Sequence, residues 1–431
     1  MNAAPEQGDQ FGLSHALYDA DGDGCADLVV GAPYEDVPKD GVNLVDAGGI
    51  WVVHGSPSGV GSAIESYTQA QFDATTATEA YDRFGFALKA GTAAGGQPYL
   101  AVGVPGENVT IGGIDHADAG GVHYVQGSTK ISVTLDSPGV PGIVEAHDRF
   151  GYSLAGTNRY FAVGAPGEGI GEEEFAGGVT VFSHTLTNGL PTALAGLDQG
   201  AAGEGLAGMA EAGDGFGTSI SMTNHRPNDQ TYNSEALLAI GTPGEDIGTT
   251  PDAGAATVIR VKPDGTYLEV AVVDAGIADI DGDPGAGDFF GQRVTIANTN
   301  TGAVTTADTV RMAVGIPGRE VGAAQDAGAV QIFRPLDASP GANDRILTRA
   351  ASGSVLPGTA ATRDYTGISL ASGGTNLYLG IPYSKAPETP RGVLYVIPWT
   401  DIDGITSNGA ATYKPGIAGI PDAGVSFGVV G

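Results

Sequence analysis

One dipeptide constrains this chain more than any other feature. Phe-Gly stands at Phe11-Gly12, Phe84-Gly85, Phe150-Gly151, Phe216-Gly217, Phe290-Gly291 and Phe427-Gly428. Thr366-Gly367 fills the one large gap, so the spacing runs from 61 to 76 residues. Such a repeat means a stack of equivalent units, none of which buries its apolar faces alone. Three further landmarks recur. An apolar run ending in Gly-x-Pro follows each start: "LVVGAP" to Pro33, "LAVGVP" to Pro105, "FAVGAP" to Pro166, "LAIGTP" to Pro243, "MAVGIP" to Pro317 and "LYLGIP" to Pro382. Next comes a glycine-opened apolar run, from "DAGGIWVV" at Asp46 to the degenerate "RGVLYVI" at Arg391. An acidic pair precedes Phe-Gly at Glu6/Asp9, Glu79/Asp82, Glu145/Asp148 and Glu211/Asp214, and Asp288 and Asp364 continue the Asp column.

The runs are short, β-branched and aromatic, and bounded by Gly, Pro and Asp, which is strand patterning and not helix patterning. Several are apolar throughout, so both faces are expected to be covered. A fourth, weaker strand fits before the next Phe-Gly, for example "SYTQAQF" from Ser66. Four-stranded antiparallel units stacked on one another make an all-β fold, a β-propeller. No linker divides the chain, so residues 1–431 read as one domain, with repeats starting near 11, 84, 150, 216, 290 and 366. The Phe is expected to fill space between blades and its Gly to permit close backbone approach. Gly-x-Pro ends a strand, because proline lacks the ladder donor. The Asp of "DAG" is expected to accept backbone N–H groups in a turn. The Glu-x-x-Asp pairs read as turn and inter-blade acceptors, since catalysis needs one site and these recur.

Charge narrows the partners. Fifty acidic residues against 19 basic ones give a net charge of −31, which repels phosphate backbones and anionic membranes and attracts cations. Nucleic acid is excluded as a partner on that ground. A single cysteine, Cys25, rules out an intrachain disulfide. No apolar run reaches the length of a membrane span. The opening "MNAAPEQGDQFG" lacks a basic region and an apolar core, so a secreted form would have lost its signal before Met1.

One loop has the composition of a metal site. In "DADGDGCADLVVGAP", Asp19, Asp21, Asp23 and Asp27 take positions 1, 3, 5 and 9, and Gly24 allows the sharp turn. Alternate carboxylates converging on one centre suit Ca²⁺, with position 7, Cys25, contributing its backbone carbonyl. Position 12 is Val30 inside a strand, so this is a hairpin loop and not a helix–loop–helix. A second, less regular candidate is Asp279, Asp281, Asp283 and Asp288, with Pro284 after the third carboxylate. "DIDG" at Asp401 has less of the pattern. "GEGLAG" at Gly203–Gly208 matches a dinucleotide fingerprint but lacks its strand–turn–helix setting. The seven histidines, His15, His54, His116, His123, His147, His184 and His225, are scattered singly and read as surface residues. No nucleophile elbow is present.

Phe-Gly, Gly-Ala-Pro and the Asp-x-Asp-x-Asp-Gly-x-x-Asp loop together resemble the FG-GAP repeat. "VGAPGE" at Val163–Glu168 and "VPGIVEAHDRFG" at Val140–Gly151 are similar to the secreted actinobacterial form. The resemblance implies the seven-bladed propeller of integrin alpha subunits, here with six complete repeats; the alternative is six blades. It departs at the sixth repeat, where Thr366 replaces Phe. Residues 425–430 are expected to form an orphan strand whose blade would be completed from upstream of Met1. The implied role is non-catalytic: an extracellular, calcium-stabilised propeller that binds a protein or glycan. Alternatives are a lectin-like module of a larger secreted assembly, or a hydrolase whose site carries no recognised motif. The loops after each Gly-x-Pro are the recognition candidates: "YEDVPKDGVNL" from Tyr34, "ENVTIGGIDHA" from Glu107, "EGIGEEEF" from Glu168 and "EDIGTTP" from Glu245. A lectin would need one aromatic per blade at a loop, whereas Trp51, Tyr124 and Trp399 fit strands.

Overall fold

A computed structural model describes residues 6, 8–200, 206–350, 355–407, 409–422, 424 and 426–430. Gly203 to Gly205 of the fingerprint-like stretch lie outside the described residues, as does Val425. The sequence reads as one domain; the chain packs as two compact units, 1–212 and 213–431. Each holds three four-stranded antiparallel blades in propeller arrangement, the strands of every blade following one another in chain order. Six such sheets occur among the described residues, which agrees with the six-bladed alternative and supplies no seventh.

The first unit opens with the blade Ser14–Tyr18, Asp27–Ala32, Gly49–Ser56 and Gly59–Tyr67. In all six blades the second strand stops at the residue before the Gly-x-Pro proline, from Ala32 to Ile381. These second strands are the most buried, since both of their faces pack against other strands, and this explains their unbroken apolar sequence. "SYTQAQF" departs from expectation. The fourth strand ends at Tyr67, and Gln69–Phe72 is a helical turn. Thr68 caps it and Gln71 returns the hydrogen bond, so local capping outweighs the strand-like composition.

The Phe-Gly turn staples one blade to the one before it. Phe84 donates its N–H to Ala47 of the first blade, and Gly85 donates to Gly103 of its own. A parallel bridge joins Gly48 to Phe84, and the same bridge recurs at Gly120–Phe150, Gly254–Phe290, Gly328–Thr366 and Gly392–Phe427. Phe84, Phe150, Phe216 and Phe290 are fully buried, as is Thr366 in the degenerate copy. Phe11 differs: it is 62% exposed and stacks edge-on against Trp51 at 5.2 Å.

Of the expected strand over 425–430, residues 426–430 are described. Among its described residues Phe427 makes the bridge to Gly392, and no ladder follows. The Val430 N–H goes to Ser369 Oγ at 2.8 Å and its carbonyl accepts from Arg293, so side chains take the groups a ladder would use.

Candidate calcium loop and loop face

The acidic loop spans the hairpin between Ser14–Tyr18 and Asp27–Ala32. Its own backbone shapes it: Asp19 accepts the N–H groups of Gly22 and Gly24 at 2.8 and 3.0 Å, Asp21 that of Asp23, and Asp23 that of Cys25. Gly22 and Gly24 sit at positive φ, which lets the chain fold back so that alternate carboxylates converge. Ligand atoms of Asp19, Asp21 and Asp23 lie within 4.8 Å of one another. Asp27 is buried at the strand start, where it accepts the N–H groups of Ala20 and Gly55, both at 2.7 Å, and so ties the loop to the third strand. Burial, followed by the charges of Asp23, Asp19 and Asp21, raises the Cys25 thiol above its ordinary value.

His54, read from the sequence as an isolated surface histidine, faces this loop. Its Nδ1 lies 3.4 Å from Asp21 and 3.6 Å from Asp27, and its Nε2 3.7 Å from Glu65. It comes from the third strand, 27 residues beyond Asp27, and no local spacing announces it. Other histidines also depart from surface placement. His123, His184 and His225 are buried. His184 binds the Tyr124 hydroxyl at 2.8 Å and the Thr157 carbonyl at 3.0 Å, and burial lowers its pKa to about 4. His123 lies 3.5 Å from Asp73, again with burial lowering its pKa to about 4.

The second acidic candidate is arranged differently. Asp288 faces Arg319 at 2.8 Å and accepts the Gly285 N–H. The Asp281 N–H goes to Asp344 and its carbonyl to Gln331. Asp279, Asp281 and Asp283 form no cluster among the described residues that meets the convergence seen at Asp19–Asp23. Asp401 lies in the helix Trp399–Gly404 and accepts the Gly409 N–H. Longer loops stand in place of the metal hairpin in blades four and five. There Arg226 donates to Gln230 and, at 2.9 Å, to the Gly302 carbonyl, while Thr305 accepts its N–H.

The Glu-x-x-Asp column works as turn chemistry. Asp9, Asp82 and Asp148 each accept the N–H three residues earlier at 2.6 Å. These bonds lie within a turn and do not cross between blades. The "DAG" turn inverts the expectation: Asp46, Asp118 and Asp252 adopt positive φ and donate their N–H groups to Asp36, Asn108 and Asp246. In the first unit the loops after Gly-x-Pro are hairpins, Val37–Lys39 with Val42–Leu44 and Val109–Ile111 with Ile114–His116, and a shorter turn bridges Ile170 and Glu173. Each carries an exposed apolar residue, Val42, Ile114 and Phe175. Tyr124 is fully buried, and Trp399 is buried with its Nε1 on the Gly373 carbonyl, so neither belongs to a loop surface.

Residues 11–53 match the family model described as the FG-GAP repeat, from the first Phe-Gly to the third strand of the first blade. The chain is a β-propeller whose first blade matches the FG-GAP repeat. No curated protein matches it. Among solved structures it is similar to Sqt1 of Saccharomyces cerevisiae, at 9% identity and a TM-score of 0.44, covering 92% of this chain and 75% of that one. A mutant of AofleA from Arthrobotrys oligospora gives 9% identity, a TM-score of 0.37, and coverage of 90% and 82%. The periplasmic gluconolactonase PpgL of Pseudomonas aeruginosa gives 13%, 0.33, and coverage of 70% and 65%. Among the described residues, no helix is long and apolar enough to cross a membrane.

Proposed function

We propose that this propeller is a non-catalytic, calcium-stabilised binding module that works outside the cell and engages a protein through its loop face. The observation that carries the calcium part is the convergence of Asp19, Asp21 and Asp23 above the buried Asp27. Carboxylates in number, a backbone carbonyl at Cys25 and no nearby lysine or arginine in the loop sequence form a donor set suited to a hard cation. Bound calcium would supply the positive charge that lets these acids share one loop, and so would fix the first hairpin.

Protein is favoured over glycan because the exposed loop residues of the first unit are aliphatic or single aromatic tips among acids, not one aromatic per blade. Calcium added to chelator-stripped protein is expected to raise the melting temperature, since a ligand of the folded state stabilises it. Asp21→Ala is expected to abolish that rise; an unchanged rise rejects the loop as the site. A screen of secreted proteins in calcium should yield a partner that Val42→Asp with Ile114→Asp weakens at least about tenfold, with the melting temperature unchanged. Undiminished binding by that variant rejects the loop face.

A further inference from the structure

The residue two places after each Gly-x-Pro proline changes character along the chain. It is Glu35, Glu107, Glu168 and Glu245 in the first four blades, then Arg319 in the fifth and Ser384 in the sixth. In blades two to five it is held near the Asp that precedes Phe-Gly, because the two loops are pinned together. Gly106 donates to the Asp82 carbonyl, Gly167 to Asp148 and Gly318 to Asp288, all at 3.1 Å. Asp288 therefore meets the Arg319 guanidinium at 2.8 Å. Asp364 meets Arg349 at 2.9 Å, and Ser384 stands on the same guanidinium at 3.1 Å. In the first three blades the neighbouring charge is a second acid: Asp9 acts on Glu35, Glu107 on Asp82 and Asp148 on Glu168.

Asp82 and Asp148 are both 0% exposed. One oxygen of each accepts the turn N–H, while Oδ1 of Asp82, Oδ1 of Asp148 and Oε2 of Glu168 are buried without a hydrogen-bond donor. Two ionised carboxylates cannot share such a site without a compensating charge. We infer that Glu35/Asp9, Glu107/Asp82 and Glu168/Asp148 each keep at least one proton near neutral pH, making carboxyl latches between the Gly-x-Pro loop and the Phe-Gly turn. The fifth and sixth blades make the same junction with a guanidinium, which has no such pH limit.

The surroundings agree in sign. Glu6, Asp9 and Asp36 face Glu35; Glu79 and Glu107 face Asp82, with Lys39 as the opposing cation; Glu79 and the Gln69 amide face Glu107. Glu145 faces Asp148, and Asp148, Glu145, Asp198 and the Ile143 N–H face Glu168. Burial first, and these like charges second, raise Glu35, Glu107 and Asp148 to about 7 and Asp82 and Glu168 to about 8. A carboxyl raised in the folded state contributes stability that is complete below its unfolded pKa, about 4, and is lost as pH climbs through the folded value. The latches are therefore closed in mild acid and strained in mild alkali.

The test is thermal unfolding of the full chain in saturating calcium at about pH 5.5, 7 and 9, for wild type, Glu107→Gln and Glu168→Gln. Wild type should lose stability as pH rises, each pair multiplying the unfolding constant by about tenfold per pH unit within its window. Each Gln variant should show a shallower pH dependence and melt above wild type at the alkaline end. Parallel pH profiles would assign the slope to net charge and overturn the proposal. Infrared spectroscopy of wild type reads the proton itself. A protonated-carboxyl C=O band should persist near neutrality, weaken toward the alkaline end and diminish in each variant that folds; its absence near pH 6 overturns the proposal.

Discussion

At the scale of single residues, two kinds of position hold this protein together, and they differ in how visible they are in the sequence. Gly103 belongs to the Gly-x-Pro column. A Cβ there would sit 2.1 Å from the Gly151 carbonyl, because the next blade's Phe-Gly turn crosses directly over it. Gly103→Ala is expected to lower stability by about 2–4 kcal/mol, read from urea unfolding, since neither backbone can yield. The recurrence of glycine announced this contact. Arg349 could not be read in the same way. It is fully buried, belongs to none of the repeat landmarks itself, and joins Asp364, Ser384, Glu388 and Thr389, partners scattered over 40 residues. Arg349→Ala strands the buried Asp364 and is expected to cost about 3–5 kcal/mol. Arg391→Ala removes an exposed pair with Asp422 and is expected to cost under about 1 kcal/mol. Equal losses from the two substitutions would contradict this account of the buried guanidinium.

At the scale of elements, a blade is legible where both of its faces are covered. The second and third strands are continuous apolar runs, and their register follows from the glycines that open and close them. The fourth strand borders solvent, so its sequence is mixed, and Thr68 with Gln71 turns the end of the expected strand into a helical turn. Loops are the least legible elements. The Asp19–Asp27 spacing could be read directly, yet His54 enters the same cluster from another strand. Likewise "NHRPNDQTYNSEA" carries no metal spacing, but its Arg226 clamps the loop of the next blade through the Gly302 carbonyl and Thr305. Arg226→Ala is expected to raise amide exchange across residues 226–234 and 299–309 while leaving the blade strands protected. Unchanged exchange in both loops would remove Arg226 as their link.

At the scale of the whole molecule, charge is the unifying theme. A net charge of −31 favours cations and positively charged partner surfaces over phosphate-bearing ones. The chain manages that excess in three local ways: a cation-sized cluster of acids in one loop, retained protons at three blade junctions, and guanidinium pairs at two others. The loop makes the central claim, because it links the FG-GAP match over residues 11–53 to a role for a bound ion. Calorimetric titration of calcium into chelator-stripped protein tests it most directly. The account predicts saturable binding to a single site that disappears in Asp21→Ala. No saturable heat in wild type, or the same heat in Asp21→Ala, would contradict it.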